Sequence, residues 1–400
     1  MLRKRRWLWY ISFSVVLLAL VLGGSAVVLS GQWRRKLATP LSRLGYIQLR
    51  ESQVSSEVEP RVLGFLPYWT MTDASHSAVL TDIAYFSVTF DGTGSLVERS
   101  GGEIDMGYHR LQSESFETWV ERANAYDQHM QITVTLLNND DITAFLRSDA
   151  AQEKAIFTIT QLLASYPFEG VVMDLEYSGP VTDQMREQYV EFITDLNTAL
   201  AEVDENIELS VAVYGSAATR YQIWDVGRIA EQSDYLVVMS YDYHVRSSST
   251  VGPVAPIFGK GNGRWQDDVV SNMRDILLEV PAHKILLGIP FYGYEWTATS
   301  DQPGATTFPQ TGATATYKRV LEVLGDPELL AEEKWDEDAL SPYIVYEEDG
   351  QTQFIYYENT RSFSYKLDFV NQIGLGGIAV WALGYEGPHR ELWDVVEQKF

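Results

Sequence analysis

The chain has 400 residues, 46% of them apolar, enough to bury one large core, and it contains no cysteine. Disulfides, thiol chemistry, Cys-ligated zinc and a lipidated N-terminal cysteine are therefore excluded. The first 50 residues hold nine Lys and Arg and no acid, which leaves 21 bases against 55 acids in the remainder. Such an anionic body repels nucleic acid and anionic membrane surfaces, so neither is expected as its partner. The six His (76, 109, 129, 244, 283 and 389) fall into no HxH or HExxH spacing, and no metal site is expected.

Residues 1–36 read as a membrane anchor with basic flanks. "RKRR" precedes "WLWYISFSVVLLALVLGGSAVVLSG", and "WRRK" follows it. The apolar run of about two dozen residues can cross roughly 30 Å of hydrocarbon at 1.5 Å per residue. A signal-peptide core spans only about 7–15 residues, which favours an uncleaved, single-pass helix. Four bases before the run and three after it place the N-terminus inside and the bulk of the chain outside the cell membrane. Cleavage of the segment would instead give a secreted protein. Residues 37–59, of mixed polarity and without a period, read as a stalk.

From Pro60 onward short apolar runs recur, at 61–69, 82–90, 130–137, 170–177, 207–215, 234–243, 284–293 and 376–384. Each has the length and continuous apolarity of a strand buried on both faces. Helical patterns separate several of them. In 149–166, Ile156, Ile159, Leu163 and Tyr166 form one apolar face, and Asp149 with Gln152 resembles a capping box. Met185, Tyr189, Phe192, Leu196 and Leu200 repeat at helical spacing in 182–200, as do Val269, Met273, Ile276 and Leu277 in 268–280. Strand, helix, strand, repeated, specifies a parallel sheet with helical crossovers. Eight strands close a barrel, so the expected fold class is α/β, a (β/α)8 TIM barrel over residues 60–400. The longest gap, 297–370, holds a helix-like "YKRVLEVLG" and two β-like runs joined by "EEDG". It is expected to form a small α+β insertion between strands 7 and 8, beside the barrel mouth. "GKGNG" (259–263) lacks the strand-to-helix context of a nucleotide loop and reads as a loop near the cleft.

One of the eight runs is interrupted by acids. In "FEGVVMDLEYSG" (168–179), Val171, Val172, Met173 and Leu175 form the fourth run, yet Asp174 and Glu176 stand in it two residues apart. Side chains alternate across a strand, so both carboxylates project to one face, at the C-terminal end where such barrels carry their chemistry. A single strand-end acid is ordinarily solvated or salt-bridged. Two on one face, after an apolar run, point to acid–base catalysis.

These segments together resemble glycoside hydrolase family 18. "FEGVVMDLEY" is similar to the family's fourth-strand DxxDxDxE, with Glu176 as the closing Glu and Asp174 as the Asp before it. Glu169 and Val172 stand where the family has its first and middle Asp. "VVMSYDYH" resembles the sixth-strand Met-x-Tyr-Asp, giving Met239, Tyr241 and Asp242. "GIPFYGYEW" resembles the seventh strand, "GGIAVWALG" the eighth, which supplies Trp381, and "VLGFLPYW" fits the first. The likeness spans about residues 61–400 and is nearest to the bacterial cell-wall and spore-cortex type.

The resemblance implies hydrolysis of β-1,4 bonds in N-acetylglucosamine-containing polymers, peptidoglycan or chitin, by substrate-assisted retaining catalysis without metal or cofactor. It makes Glu176 the acid/base, Asp174 the group that orients the substrate acetamido N–H, Tyr241 a donor to the acetamido oxygen, and Trp381 an apolar floor under the sugar. Asp242 is expected to tune Asp174 or Tyr241, or to cap the following loop, with Met239 alongside. Tyr68, Trp69, Tyr292, Tyr294 and Trp296 are candidate sugar subsites. Val172 cannot share a proton as the family's middle Asp does, so Asp174 is expected to stay ionised, with weaker coupling to Glu176. Two other readings stand beside this one. The chain could be a catalytically silent carbohydrate-binding or scaffold protein on the same fold, or a barrel hydrolase of non-acetylated sugars that uses a separate nucleophile. Oligomeric state is left open.

Overall fold

The structure, a computed structural model, describes residues 60–400 except His76. The expected anchor (1–36) and stalk (37–59) lie outside the described residues. Among those described, no helix is long and apolar enough to cross a membrane.

All eight apolar runs are strands of one closed parallel barrel. β1 (Arg61–Pro67), β2 (Asp82–Thr89), β3 (His129–Leu136), β4 (Gly170–Leu175), β5 (Glu208–Tyr214), β6 (Tyr235–Met239) and β7 (Ile285–Pro290) pair in chain order, and a strand near the C-terminus joins β7 to β1. The runs overshoot these strands at their C-terminal ends, because the residues leaving the barrel mouth are largely aromatic or apolar themselves. Inward-facing side chains fill the interior, among them Leu63, Phe65, Ala84, Val172, Val237 and Leu286. The N-terminal end is closed by charge. Arg61 Nη2 donates to Asp82 Oδ1 at 2.9 Å and also to Glu208, while Gln131 Nε2 donates to Asp82 Oδ1 at 2.9 Å. Asp82, His129 and Glu208 approach closely enough to share a cation, and the Arg61 guanidinium supplies that positive charge.

The three helical patterns become α1 (Asp149–Ser165), α2 (Asp183–Val203) and α3 (Val269–Ile276). The cap of α1 is Ser148 rather than Asp149, its side chain accepting from Ala151 N at 3.2 Å. Gln152 points its amide to the carbonyls of Phe145 and Leu146 instead of closing a capping box.

Between the seventh and eighth barrel strands lies a five-stranded antiparallel sheet. Its strands are β8 (Tyr292–Ala298), β9 (Ala313–Thr316), β10 (Glu332–Asp336), β11 (Ser341–Glu348) and β12 (Gln351–Tyr356), in the order β9-β8-β12-β11-β10, with helix α4 (Tyr317–Gly325). The "EEDG" turn joins β11 to β12, with Asp349 (φ 52°) and Gly350 (φ 74°) both left-handed, as a two-residue hairpin demands. The sheet occupies residues 292–356 against the expected 297–370. Only Phe291 separates β7 from β8, so one apolar-aromatic run feeds two sheets and its pattern does not mark the bend. The last expected stretch is α5 (Thr360–Ile373), which contacts the closing barrel strand, β13 (Gly377–Trp381).

Lys366 on α5 donates to Glu358 at 2.8 Å, and both side chains are buried. The pair fastens the chain leaving the inserted sheet to the helix that precedes the closing barrel strand. Removing one partner of a buried pair leaves the other uncompensated, which costs about 3–5 kcal/mol. Lys366→Met is therefore expected to lower the urea midpoint of unfolding markedly, while Lys366→Met with Glu358→Leu recovers most of the loss.

Candidate active site

β4 brings the two acids to the barrel mouth. Asp174 faces inward two residues beyond Val172, and it is 5% exposed. Its register partner on β3, Thr135, spends its hydroxyl on β2, with Ser87 Oγ at 3.2 Å and Val88 O at 3.2 Å. Asp174 Oδ1 is buried without a hydrogen-bond partner. One step deeper, Thr133 and Ser210 flank Val172 in the sheet register and also hold buried, unpartnered hydroxyls. Burial first, and the charge of Glu176 second, push the Asp174 carboxyl well above the usual carboxylate range. This direction runs against the expectation that Asp174 stays ionised. Val172 offers no polar atom to take up the charge, so the site favours the neutral form, and the two acids stay electrostatically linked.

Glu176 lies just past the strand end and is half-buried. Tyr214, the last residue of β5, donates its hydroxyl to Glu176 Oε2 at 3.1 Å. Burial raises the Glu176 carboxyl, the Tyr214 hydrogen bond lowers it, and the Asp242 charge raises it again, with a net rise. Tyr241 reaches the cleft over Gly288 of β7. A Cβ at that glycine would lie 2.5 Å from Val238 O and 3.0 Å from Tyr241 Cε1, so the close approach of strand and ring requires glycine. Burial, then Asp242 and Asp174, hold the Tyr241 proton well above the ordinary phenol range, so it stays a donor.

Asp242 adopts φ 62°, a conformation that Asp tolerates better than most residues. Its carboxylate accepts from the hydroxyls of Tyr292 and of Tyr294, the latter at 3.0 Å. Its hydrogen bonds run to the inserted sheet, not to Asp174 or Tyr241. Trp381 ends β13 and packs against Phe86 at 4.6 Å and Phe65 at 5.7 Å between ring centres. Met239 ends β6, and its carbonyl accepts from Gly215 N at 3.2 Å.

A cleft of about 1230 Å³ joins Asp174, Glu176, Met239, Tyr241, Asp242 and Trp381, with Tyr292 on its wall. Four of the candidate subsite residues, Tyr68, Trp69, Tyr294 and Trp296, are not among its lining residues. Trp296 is completely buried and donates its indole N–H to Val245 O at 3.3 Å, inside the core of the inserted sheet. Tyr292, Tyr294 and Trp296 share one face of β8, and only the first reaches the cleft. Tyr68 is not among the cleft-lining residues; it packs edge-on against Trp69 at 4.9 Å, and the half-exposed Trp69 lies 6.0 Å from Phe86. Sequence reasoning passed over Tyr214, Phe65 and Phe86, which shape the floor, and Arg220, Arg264 and Trp265 on the walls. Tyr214 carried a usable signal, since it closes an apolar run as Asp174 does.

Known proteins resemble this chain. The family model described as glycosyl hydrolases family 18 matches residues 61–386. The chain belongs to glycosyl hydrolase family 18. It is 26% identical over 260 residues to a probable endochitinase of Caenorhabditis elegans, covering 60% of this chain and 40% of that protein. It is 23% identical over 361 residues to the cortical fragment-lytic enzyme of Bacillus subtilis strain 168, covering 89% of this chain and 73% of that one. It thus spans about two fifths of the nematode relative. In fold it superposes on a chitinase of Cycas revoluta in complex with (GlcNAc)3 with a TM-score of 0.72 and 19% identity, covering 85% of this chain and 99% of that chain.

The Asp174 geometry has a consequence for stability. Its native-state pKa lies above its unfolded value, so the folded state holds a proton that the unfolded chain releases. Stability is then fullest below about pH 4 as far as this group is concerned, and is lost as pH rises toward the raised native value. Asp174→Asn removes that loss. Its melting temperature at pH 7.5 is expected to exceed wild type by about 1–3 °C, with the difference vanishing near pH 4.

Proposed function

We propose that this chain hydrolyses β-1,4 bonds of N-acetylglucosamine-containing polymers, with the substrate's own 2-acetamido oxygen as the nucleophile. The observation that carries this reading is the buried, unpartnered Oδ1 of Asp174 in a cleft shared with Glu176 and Tyr241. An acetamido N–H is a donor of the kind that atom lacks. Its relatives' names support the substrate class: an endochitinase, a cortical fragment-lytic enzyme, and a fold neighbour holding (GlcNAc)3. As the membrane element, the basic and apolar run at residues 3–36 would hold the barrel outside the cell, where such polymers lie.

The residues divide the work as follows. In the free site the neutral form is favoured at Asp174, while Glu176 accepts from Tyr214. Substrate N–H donation to Asp174 favours its ionised form, and the proton is then better held by Glu176. Glu176 protonates the leaving glycosidic oxygen as the acetamido oxygen closes on the anomeric carbon. The Asp174 charge stabilises the positive ring so formed, and Tyr241 donates to the acetamido oxygen. Glu176 then takes a proton from water, which opens the ring with retained configuration. Trp381, braced by Phe65 and Phe86, keeps water from the apolar face of the sugar. A hydrolase of the ordinary retaining type needs a second carboxylate about 5–5.5 Å from the acid as nucleophile. Asp242 is the other acid on the floor, and two tyrosine hydroxyls hold it. A silent binding protein has no use for the raised carboxyls of both Asp174 and Glu176.

Digestion of chitin oligomers and of peptidoglycan, with mass analysis of the products, tests the reading. Glu176→Gln is expected to lower kcat by about 10²–10⁴ on any polymer that wild type cuts. Retained activity in that variant, or equal cleavage of a polymer lacking the acetamido group, would refute the mechanism. Tyr214→Phe removes the bond that favours ionised Glu176, so Glu176 keeps its proton to higher pH. The alkaline limb of the kcat/KM profile should move upward in that variant.

A further inference from the structure

We infer that Arg220 reads a carboxylate on the substrate, which makes the preferred polymer an anionic acetamido glycan rather than a neutral one. This rests on the function proposed above and specifies its substrate. Beyond residue 50 acids outnumber bases 55 to 21, yet two arginines, Arg220 and Arg264, line the catalytic cleft. Arg220 lies on the turn leaving β5, six residues after the Tyr214 that bonds Glu176, and its backbone N donates to Ser216 O at 2.9 Å. Its side chain is exposed and forms no ion pair or hydrogen bond among the described residues. Arg61, Arg186, Arg228 and Arg319, by contrast, all rest on acids.

The protein's own carboxylates do not compete for it. Asp242 is held by Tyr292 and Tyr294, Asp267 by Lys260 at 3.3 Å, and Asp174 and Glu176 face the reacting sugar. On the loop after "GKGNG", the Arg264 guanidinium lies 5.5 Å over the Trp265 ring, which meets the His244 ring at 5.1 Å. That wall adds a second positive charge and an apolar face to the same cleft. A planar guanidinium binds carboxylate through two parallel hydrogen bonds, a geometry that neutral sugars do not offer. A homopolymer of N-acetylglucosamine carries no carboxylate. A glycan whose alternate sugars bear a 3-O-lactyl ether carries one on each such sugar, and where a peptide is joined there as an amide the peptide's own carboxylates take its place.

The full-length protein is assayed on four substrates: intact peptidoglycan, its strands stripped of peptide by an amidase, the same strands with carboxyls converted to amides, and chitin oligomers. Wild type should favour carboxylate-bearing over amidated strands, and 0.5 M salt should shrink that preference. Arg220→Gln is expected to lower the ratio of kcat/KM on the two by about five- to tenfold, with Arg220→Lys in between. Preference for stripped over amidated strands assigns the contact to the lactyl carboxylate and supports the inference; equal rates on the two overturn it. A ratio that Arg220→Gln moves less than twofold overturns it while leaving the hydrolase reading intact. Failure of wild type on all four substrates overturns the hydrolase reading itself.

Discussion

The site is governed by the desolvation of one carboxyl. Asp174 faces into the barrel above an apolar residue, beside a threonine whose hydroxyl is engaged on the far side. An ionised group in such a place loses its hydration and gains no donor in return, so it either takes a proton or awaits a partner. Every other feature of the mouth is arranged around that need. Burial and the Asp242 charge raise the Glu176 carboxyl while Tyr214 lowers it, and burial with the neighbouring acids raises the Tyr241 hydroxyl.

The two ends of the barrel handle charge in opposite ways. At the N-terminal end Arg61 neutralises Asp82 and Glu208, and Gln131 completes the network, so that the closure is structural. At the C-terminal end the acids lack a cation among their hydrogen-bond partners and their carboxyls are raised. Such unneutralised groups cost stability, and they stand at the end where barrels of this class carry their chemistry. The inserted sheet takes part in this, since β8 supplies both tyrosines that hold Asp242. The buried Lys366–Glu358 pair in turn fixes where the chain leaves that sheet.

Much of this was legible beforehand. Eight apolar runs located eight strands, and the spacing of Asp174 and Glu176 placed two acids on one face of the fourth. The hairpin at Asp349–Gly350 followed from local turn chemistry alone. Where reading failed, the cause was local ambiguity. The run through Pro290, Phe291 and Tyr292 is apolar on both sides of a bend, so the pattern places the start of the inserted sheet five residues late. Trp296 shares its face of the strand with Tyr292, and nothing in period two distinguishes a side chain that meets the cleft from one that meets a core. The rise of the Asp174 carboxyl is not legible in the sequence, because Val172 there shows a missing proton partner and not the burial around it.

Sequence by itself determined the strand and helix periods, the identity of the two acids and the face they share, because alternation and apolarity are properties of neighbouring residues. Tertiary structure alone decided the burial that raises their carboxyls, the Tyr214 contact to Glu176, the Asp242 clamp and the placing of Arg220 in the cleft. Those depend on groups brought together across 38 to 52 positions of chain, and on how much water the closed barrel leaves around them. Desolvation and electrostatic pairing are set by distances through space, which no local pattern encodes.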